Sequence, residues 1–249
     1  MALNFDVTND YVSVPDSATV NFGTGSFAIA FWFNSHAGST QDMINKNRAT
    51  ATATTLGYGF TISSAAATGF SFHMGNGTTY NRIDTGAQAA RGGNVWTHCI
   101  INVDRTNQLC NIWFNGGLIV TNAALTLTGT ITTTAQLNIG ACSPSPSRYF
   151  DGWLSEIILM PRLFTAEERI KLYGAGTPLK YYPQTIGANA YWPMDEFGNG
   201  QVSWGVGSVK DHSGNNNHGT PQGAQTGYTE QLTYRSQLFT SQVLNGSFY

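Results

Sequence analysis

The sequence predicts an all-β protein, an antiparallel sandwich carrying one short helix. Three observations lead there. Apolar and aromatic runs are strand-sized, and none approaches the ~18 residues of a membrane span. Turn residues separate these runs at short intervals. Just one stretch, opening at Thr165, carries a helix start signal.

The elements follow in order. Residues 26–33 form an apolar and aromatic run, Ser-Phe-Ala-Ile-Ala-Phe-Trp-Phe, as expected of a strand buried in a sandwich. Residues 58–62 and 70–74 alternate with the period of a strand. Residues 96–103 and 109–114 are two further strands, and 104–108 between them have the composition of a hairpin loop. Asn115-Gly116 is the strongest short turn signal in the chain and opens another hairpin. Strands at 136–140 and 153–160 come next. Thr165 and Glu168 fit a capping box, the helix runs through Tyr173, and Gly174 is a natural stop. Composition changes near residues 174–183, and the last fifteen residues alternate polar and apolar with no evident partner. They read as an arm.

Composition narrows the function. Twelve Lys and Arg face fourteen Asp and Glu, a net charge of −2, and charged residues make up 10% of the chain. Soluble domains carry roughly 25%. Gly, Thr, Asn and Ser account for 97 of the 249 residues, so the surface is built of hydroxyls and amides. Scattered basic residues do not suit a phosphate backbone or an anionic membrane. A chain 41% hydrophobic is not disordered, and its length suits one large domain with an appendage. Cys99, Cys110 and Cys142 are odd in number, which is no disulfide scaffold. Cys99 and Cys110 lie in adjacent strands, where a bridge is one reading and buried free thiols the commoner one. The start, Met1-Ala2-Leu3-Asn4, has neither the basic nor the apolar region of a secretory signal.

An ordered set of segments carries a resemblance. Residues 3–15, Leu-Asn-Phe-Asp-Val-Thr-Asn-Asp-Tyr-Val-Ser-Val-Pro, open it. The core strand 27–33, Trp96-Thr97-His98, Val103-Asp104-Arg105 and Ile112-Trp113-Phe114-Asn115-Gly116 follow. Leu137-Asn138-Ile139-Gly140, Phe150-Asp151-Gly152-Trp153 and the helix at 165–173 complete it. The set resembles laminin-G-like domains of the concanavalin A-like lectin and glucanase superfamily. That resemblance implies a jelly-roll β-sandwich. A second match is displaced. Residues 190–196 and 209–220 resemble the segment that in these domains usually precedes the opening strand. Three readings stand: a circularly permuted fold completing its own sandwich, which is favoured, donation to a neighbouring subunit, or a truncated second repeat. The implied organisation is a sandwich at 1–176, a completing segment at 177–227 and an arm at 228–249.

Catalytic patterns are missing from the sequence. Glucanases of this superfamily set two glutamates and an aspartate at alternating positions on one strand, giving a retaining pair about 5 Å apart. The five glutamates here, Glu156, Glu167, Glu168, Glu196 and Glu230, show no such spacing. The histidines and cysteines show no zinc spacing. Calcium is the one cofactor the chemistry suits, through Asp6, Asn9 and Asp10 in one loop and Asp211 and Asn215 in another. The competing reading is that these side chains cap turns. Tyr80, Tyr149, Trp204 and Tyr228 are candidates for stacking on sugar rings. The expected function is therefore a non-enzymatic binding or structural module. Its favoured setting is a virion surface, as a phage decoration, fibre or tail-associated protein, with glycans or capsid, tail or identical subunits as partners. An extracellular bacterial carbohydrate-binding module is the alternative, and a glucanase-like hydrolase the disfavoured one.

Overall fold

The computed structural model describes residues 2–36, 40–47, 56–62, 69–86, 95–174, 182–198, 200–201, 205–223 and 226–228. In chain order its strands are β1 (Ala2–Asp6), β2 (Tyr11–Val14), β3 (Phe27–Ser35), β4 (Gln41–Lys46), β5 (Leu56–Ile62), β6 (Phe70–Asn76), β7 (Tyr80–Asp84), β8 (Thr97–Asp104), β9 (Leu109–Phe114), β10 (Gly117–Ala124), β11 (Leu137–Ile139) and β12 (Asp151–Met160). Helices α1 (Ala166–Gly174) and α2 (Tyr182–Thr185) follow, then β13 (Ala190–Trp192), β14 (Thr220–Gln222) and β15 (Thr226–Tyr228).

Period-two alternation sorts side chains between two layers. In β3, Phe27, Ile29, Phe31 and Phe33 enter the main core, while Ala28, Ala30 and Trp32 face the other way. The same sorting acts in β6, β8 and β9, and the strands assemble into two antiparallel sheets that share one core. The first runs β10-β9-β8-β3-β12-β1-β15, with β13 also on β12. The second runs β14-β2-β11-β4-β5-β6-β7. The fold is an all-β jelly-roll sandwich.

Strand β12 holds two partners end to end along one side. Residues 151–154 pair with β1, and 157–159 pair with β13. The changeover is a bulge against β3 at Glu156, whose φ is +53°. It brings Leu154 and Ile157 to the same core face although three positions apart.

The second half of the chain is woven into the first. β14 pairs with β2 and β15 with β1, so residues 190–228 contribute to both sheets. Trp192, Met194 and Val209 lie in the main core. The indole of Trp192 donates to the carbonyl of Asn217 at 2.7 Å. Asn217 in turn accepts from the hydroxyls of Ser17 (2.6 Å) and Thr19 (3.0 Å) beside a 3-10 turn.

The capping box forms as its sequence requires. The amide of Glu168 donates to Thr165 Oγ1 at 3.2 Å, and the amide of Thr165 donates to Glu168 Oε2 at 2.8 Å. A second helix, α2, was not expected. It is a single turn with Pro183 in its first positions, too short to leave a periodic trace. Strand β4 also carries no apolar pattern, because buried polar side chains hide it. Lys46 is fully buried and meets Asp16 at 2.6 Å and the carbonyl of Ala135 at 2.6 Å. The cysteines are free and buried. Burial pushes the Cys110 thiol up to about 12 and that of Cys99 well above its ordinary value, so both behave as small core residues.

Candidate functional site

The outer face of the second sheet collects polar side chains. Asp42 and Asn45 project from β4, Thr61 from β5, Ser71 and His73 from β6, and all five are buried. The loop between β11 and β12 folds back over them. Asn138 donates to the carbonyl of Cys142 at 2.7 Å, and Asn45 accepts from the amide of Ser143 at 3.1 Å. Ser143 donates to the carbonyl of Gln136 at 2.6 Å. These bonds fix Arg148 above the sheet.

Arg148 is the charge centre of this face. Its Nε meets Asp42 Oδ2 at 2.9 Å and its Nη2 lies 3.1 Å from the sulfur of Cys142. Burial by itself would lower its pKa, but the Asp42 charge and Cys142 outweigh burial and hold it above the ordinary value. The Tyr80 hydroxyl is close enough to add to the same field. That hydroxyl also bonds His73 Nδ1, while His73 Nε2 meets Thr61 Oγ1 at 3.0 Å. On the other side of Arg148, the Tyr149 ring lies 6.3 Å from Tyr11. A buried network therefore ends in two partly exposed tips, Tyr80 and Arg148, while partly exposed Tyr149 donates its hydroxyl to the carbonyl of Pro146 at 3.3 Å.

Of the four candidate aromatics, Tyr80 and Tyr149 come to this one face. Tyr228 ends β15, at the edge of the opposite sheet. Trp204 lies outside the described residues, as do residues 229–249 of the expected arm. The sequence reading missed Arg148 and His73 as functional positions. His73 had a weak signal, since it alternates with core residues Phe72 and Met74 in β6. Arg148 had none, because its partner Asp42 is remote in sequence.

The two loops considered for calcium are bound differently. Asp211 Oδ1 accepts the amides of Tyr191 and Ser213, each at 2.9 Å. Its Oδ2 accepts the Ser213 hydroxyl and the Asn217 amide, also at 2.9 Å. Four donors thus occupy both oxygens. Asn215 donates to the carbonyl of Asn189 at 3.0 Å, and Asp6 accepts the amide of Thr8 at 2.9 Å. Asp10 is 2% exposed, and it and Asn9 lie against Gly223, where a Cβ would come within 2.1 Å of Asp10 Oδ1. Among the described residues no three His, Cys, Asp or Glu side chains converge as a metal cluster. In the Asp211 loop this donor set answers to turn capping.

Four of the five glutamates lie among the described residues, and each has a protein contact. Glu156 accepts the Tyr191 hydroxyl at 2.7 Å. Glu167 pairs with Lys171 at 2.7 Å, and Glu168 with Arg162 at 2.6 Å. Glu196 accepts the amide of Lys210 at 2.8 Å. Among the described residues no helix is long and apolar enough to cross a membrane.

Comparison with known proteins agrees with this architecture. The family described as the concanavalin A-like lectin/glucanases superfamily matches residues 6–168. No curated protein matches the chain. A solved structure of a candidate carbohydrate binding protein from Bacteroides ovatus ATCC 8483 is similar at a TM-score of 0.61 and 18% identity, over 92% of this chain. The chain spans 58% of that protein's length. CBM40 of the Ruminococcus gnavus IT-sialidase is similar at a TM-score of 0.51 and 14% identity, over 70% of this chain and 98% of its own. CBM40 has also been solved with α2,3-sialyllactose bound. At these identities the likeness speaks for the fold.

Proposed function

The chain belongs to the concanavalin A-like lectin/glucanases superfamily, and from that premise we propose that it is a non-enzymatic, lectin-like glycan-binding module. The observation that carries this reading is the set of partly exposed side chains by the second sheet, Tyr80 and Arg148 held by a buried network and Tyr149 set against Tyr11. Tyrosine rings offer flat apolar faces to sugar C–H groups, and the guanidinium offers donors to hydroxyls. A network satisfied from beneath keeps these groups in place, so little ordering cost falls on binding. The neutral, amide-rich surface adds support, since a sugar competes well with water only for hydrogen bonds set in place beforehand. The sialyllactose complex of CBM40 supports the same class of ligand. The carboxylates described above are each held in structural contacts, which supports a non-catalytic role.

A glycan array probed with the full chain tests the proposal. Specific hits are expected, and Tyr149→Ala should weaken them about tenfold or more, as for a central aromatic contact. An array without hits, or hits indifferent to Tyr149→Ala and Arg148→Ala alike, would sink it. For the setting, we favour the exterior of a virus particle, as a decoration, fibre or tail-associated subunit, over a secreted bacterial module. The support is compositional: 97 of 249 residues are Gly, Thr, Asn or Ser, and just 10% are charged. Co-sedimentation of the protein with intact particles tests that choice.

A further inference from the structure

A cleft of about 290 Å³ lies on the opposite side of the molecule, between helix α1 and the β9–β10 hairpin. Its floor is Ile100 and Trp113, and its helical wall is Ala166, Arg169, Ile170 and Tyr173. The wall is firmly set. The Tyr173 ring stacks over Trp32 (6.0 Å) and His98 (5.8 Å). It also lies so close to Gly116 that a Cβ there would come within 2.9 Å of the ring. Glycine at the hairpin turn is thus what admits Tyr173.

Among the described residues, Arg169 is the one charged group lining this cleft. Its guanidinium lies 4.3 Å from the centre of the Trp113 ring, and its Nη1 donates to the carbonyl of Phe164 at 3.0 Å. Both contacts fix it without neutralising it. The neighbouring helix carboxylates are committed elsewhere, Glu167 to Lys171 and Glu168 to Arg162. Among the described residues, Arg169 has no carboxylate partner. Arginine offers five N–H donors in a planar fork that matches a carboxylate. Here that fork sits beside the apolar surfaces of Ile170, Tyr173 and Trp113. The volume lies at the small end of ligand sites, roughly 300–1,000 Å³, which suits one sugar ring.

We propose that this cleft is a second saccharide subsite, selective for a pyranose that carries a carboxylate. The carboxylate pairs with Arg169 while the ring packs on Ile170 and Tyr173. The proposal rests on the glycan-binding reading but uses a different face, so the two fail separately.

The test is an NMR titration of the full chain with D-glucuronate, D-glucose and acetate. Glucuronate should bind at least about tenfold more tightly than either, since both the ion pair and the ring contribute. Arg169→Gln should reduce glucuronate to the level of glucose. Ala166→Glu should do the same by giving Arg169 an internal carboxylate one helical turn away. An acidic residue in the first turn suits the helix dipole, so this variant should keep its melting temperature. Tyr149→Ala, on the other face, should leave glucuronate binding unchanged. Equal affinity for glucuronate and glucose, equal affinity for acetate, or binding that survives Ala166→Glu would overturn the proposal. Loss of array hits with glucuronate binding intact would overturn the second-sheet site and leave this cleft standing.

Discussion

Glu196 is held in surroundings that resist its charge. Burial raises its pKa to about 7, and the neighbouring Asp195 adds to the rise. The Lys210 amide offsets part of this at 2.8 Å, and His212 stands 4.0 Å from the same oxygen. The other oxygen, Oε2, is buried without a hydrogen bond among the described residues. A carboxyl with a raised folded pKa binds its proton more tightly in the folded state. Its stabilising contribution is therefore complete below the unfolded value of 4.5 and lost as the pH climbs to about 7. Melting temperature should fall across that window and level off above it. Glu196→Gln should flatten the profile and stabilise the protein at pH 8, by on the order of 2–3 kcal/mol. A variant with the wild-type slope between pH 5 and 7 would refute the assignment.

Elements from the second half of the chain hold the sandwich closed. Strand β13 fills the side of β12 that β1 leaves open beyond the bulge, and it brings fully buried Trp192 into the core. Trp192→Ala should cost about 3–5 kcal/mol, because a large cavity opens and the Asn217 carbonyl loses its donor. Urea unfolding measures this, and a loss below about 1 kcal/mol would contradict the core role of β13. Such elements show where the sequence is legible. The apolar run of β3, the alternating β6 and the capped helix α1 could be read locally, because local propensity and burial agree there. Strand β4 could not. Its Asp42, Asn45 and Lys46 are polar yet buried, satisfied by Arg148, Ser143 and Asp16 from far along the chain. The short strands β13, β14 and β15 owe their existence to pairing with β12, β2 and β1, a tertiary fact that three residues cannot announce. The candidate site divides the same way. Tyr80 and Tyr149 were readable as exposed aromatics, but the guanidinium between them depends on a loop folding over a sheet.

At the scale of the molecule, the register of the outermost pair bears on how the last third of the chain joins the sandwich. β15 runs antiparallel to β1 with Tyr228 opposite Ala2 and Thr226 opposite Asn4. The last residue of one strand therefore lies beside the first residue of the other, which is the geometry of a hairpin missing its turn. We propose from this register that residues 190–228 complete their own sandwich, as a circularly permuted fold would. A circular permutant follows from this. Residues 177–228, a two-residue Asn-Gly turn and residues 2–176 in that order should fold to the same sandwich. Asn-Gly suits the turn because both of its positions tolerate the positive φ that a tight hairpin requires. The cut between 176 and 177 falls within none of the described strands. Joining the ends also shortens the separation between β15 and β1 from most of the chain to a turn, which lowers the closure entropy of that pairing. The permutant should therefore melt within a few degrees of the parent, keep the parent's mass by light scattering, and refold no more slowly. A permutant that forms defined dimers would mean instead that the segment prefers a neighbour's β1, and one that fails to fold would show that β15 and β1 do not meet within one chain.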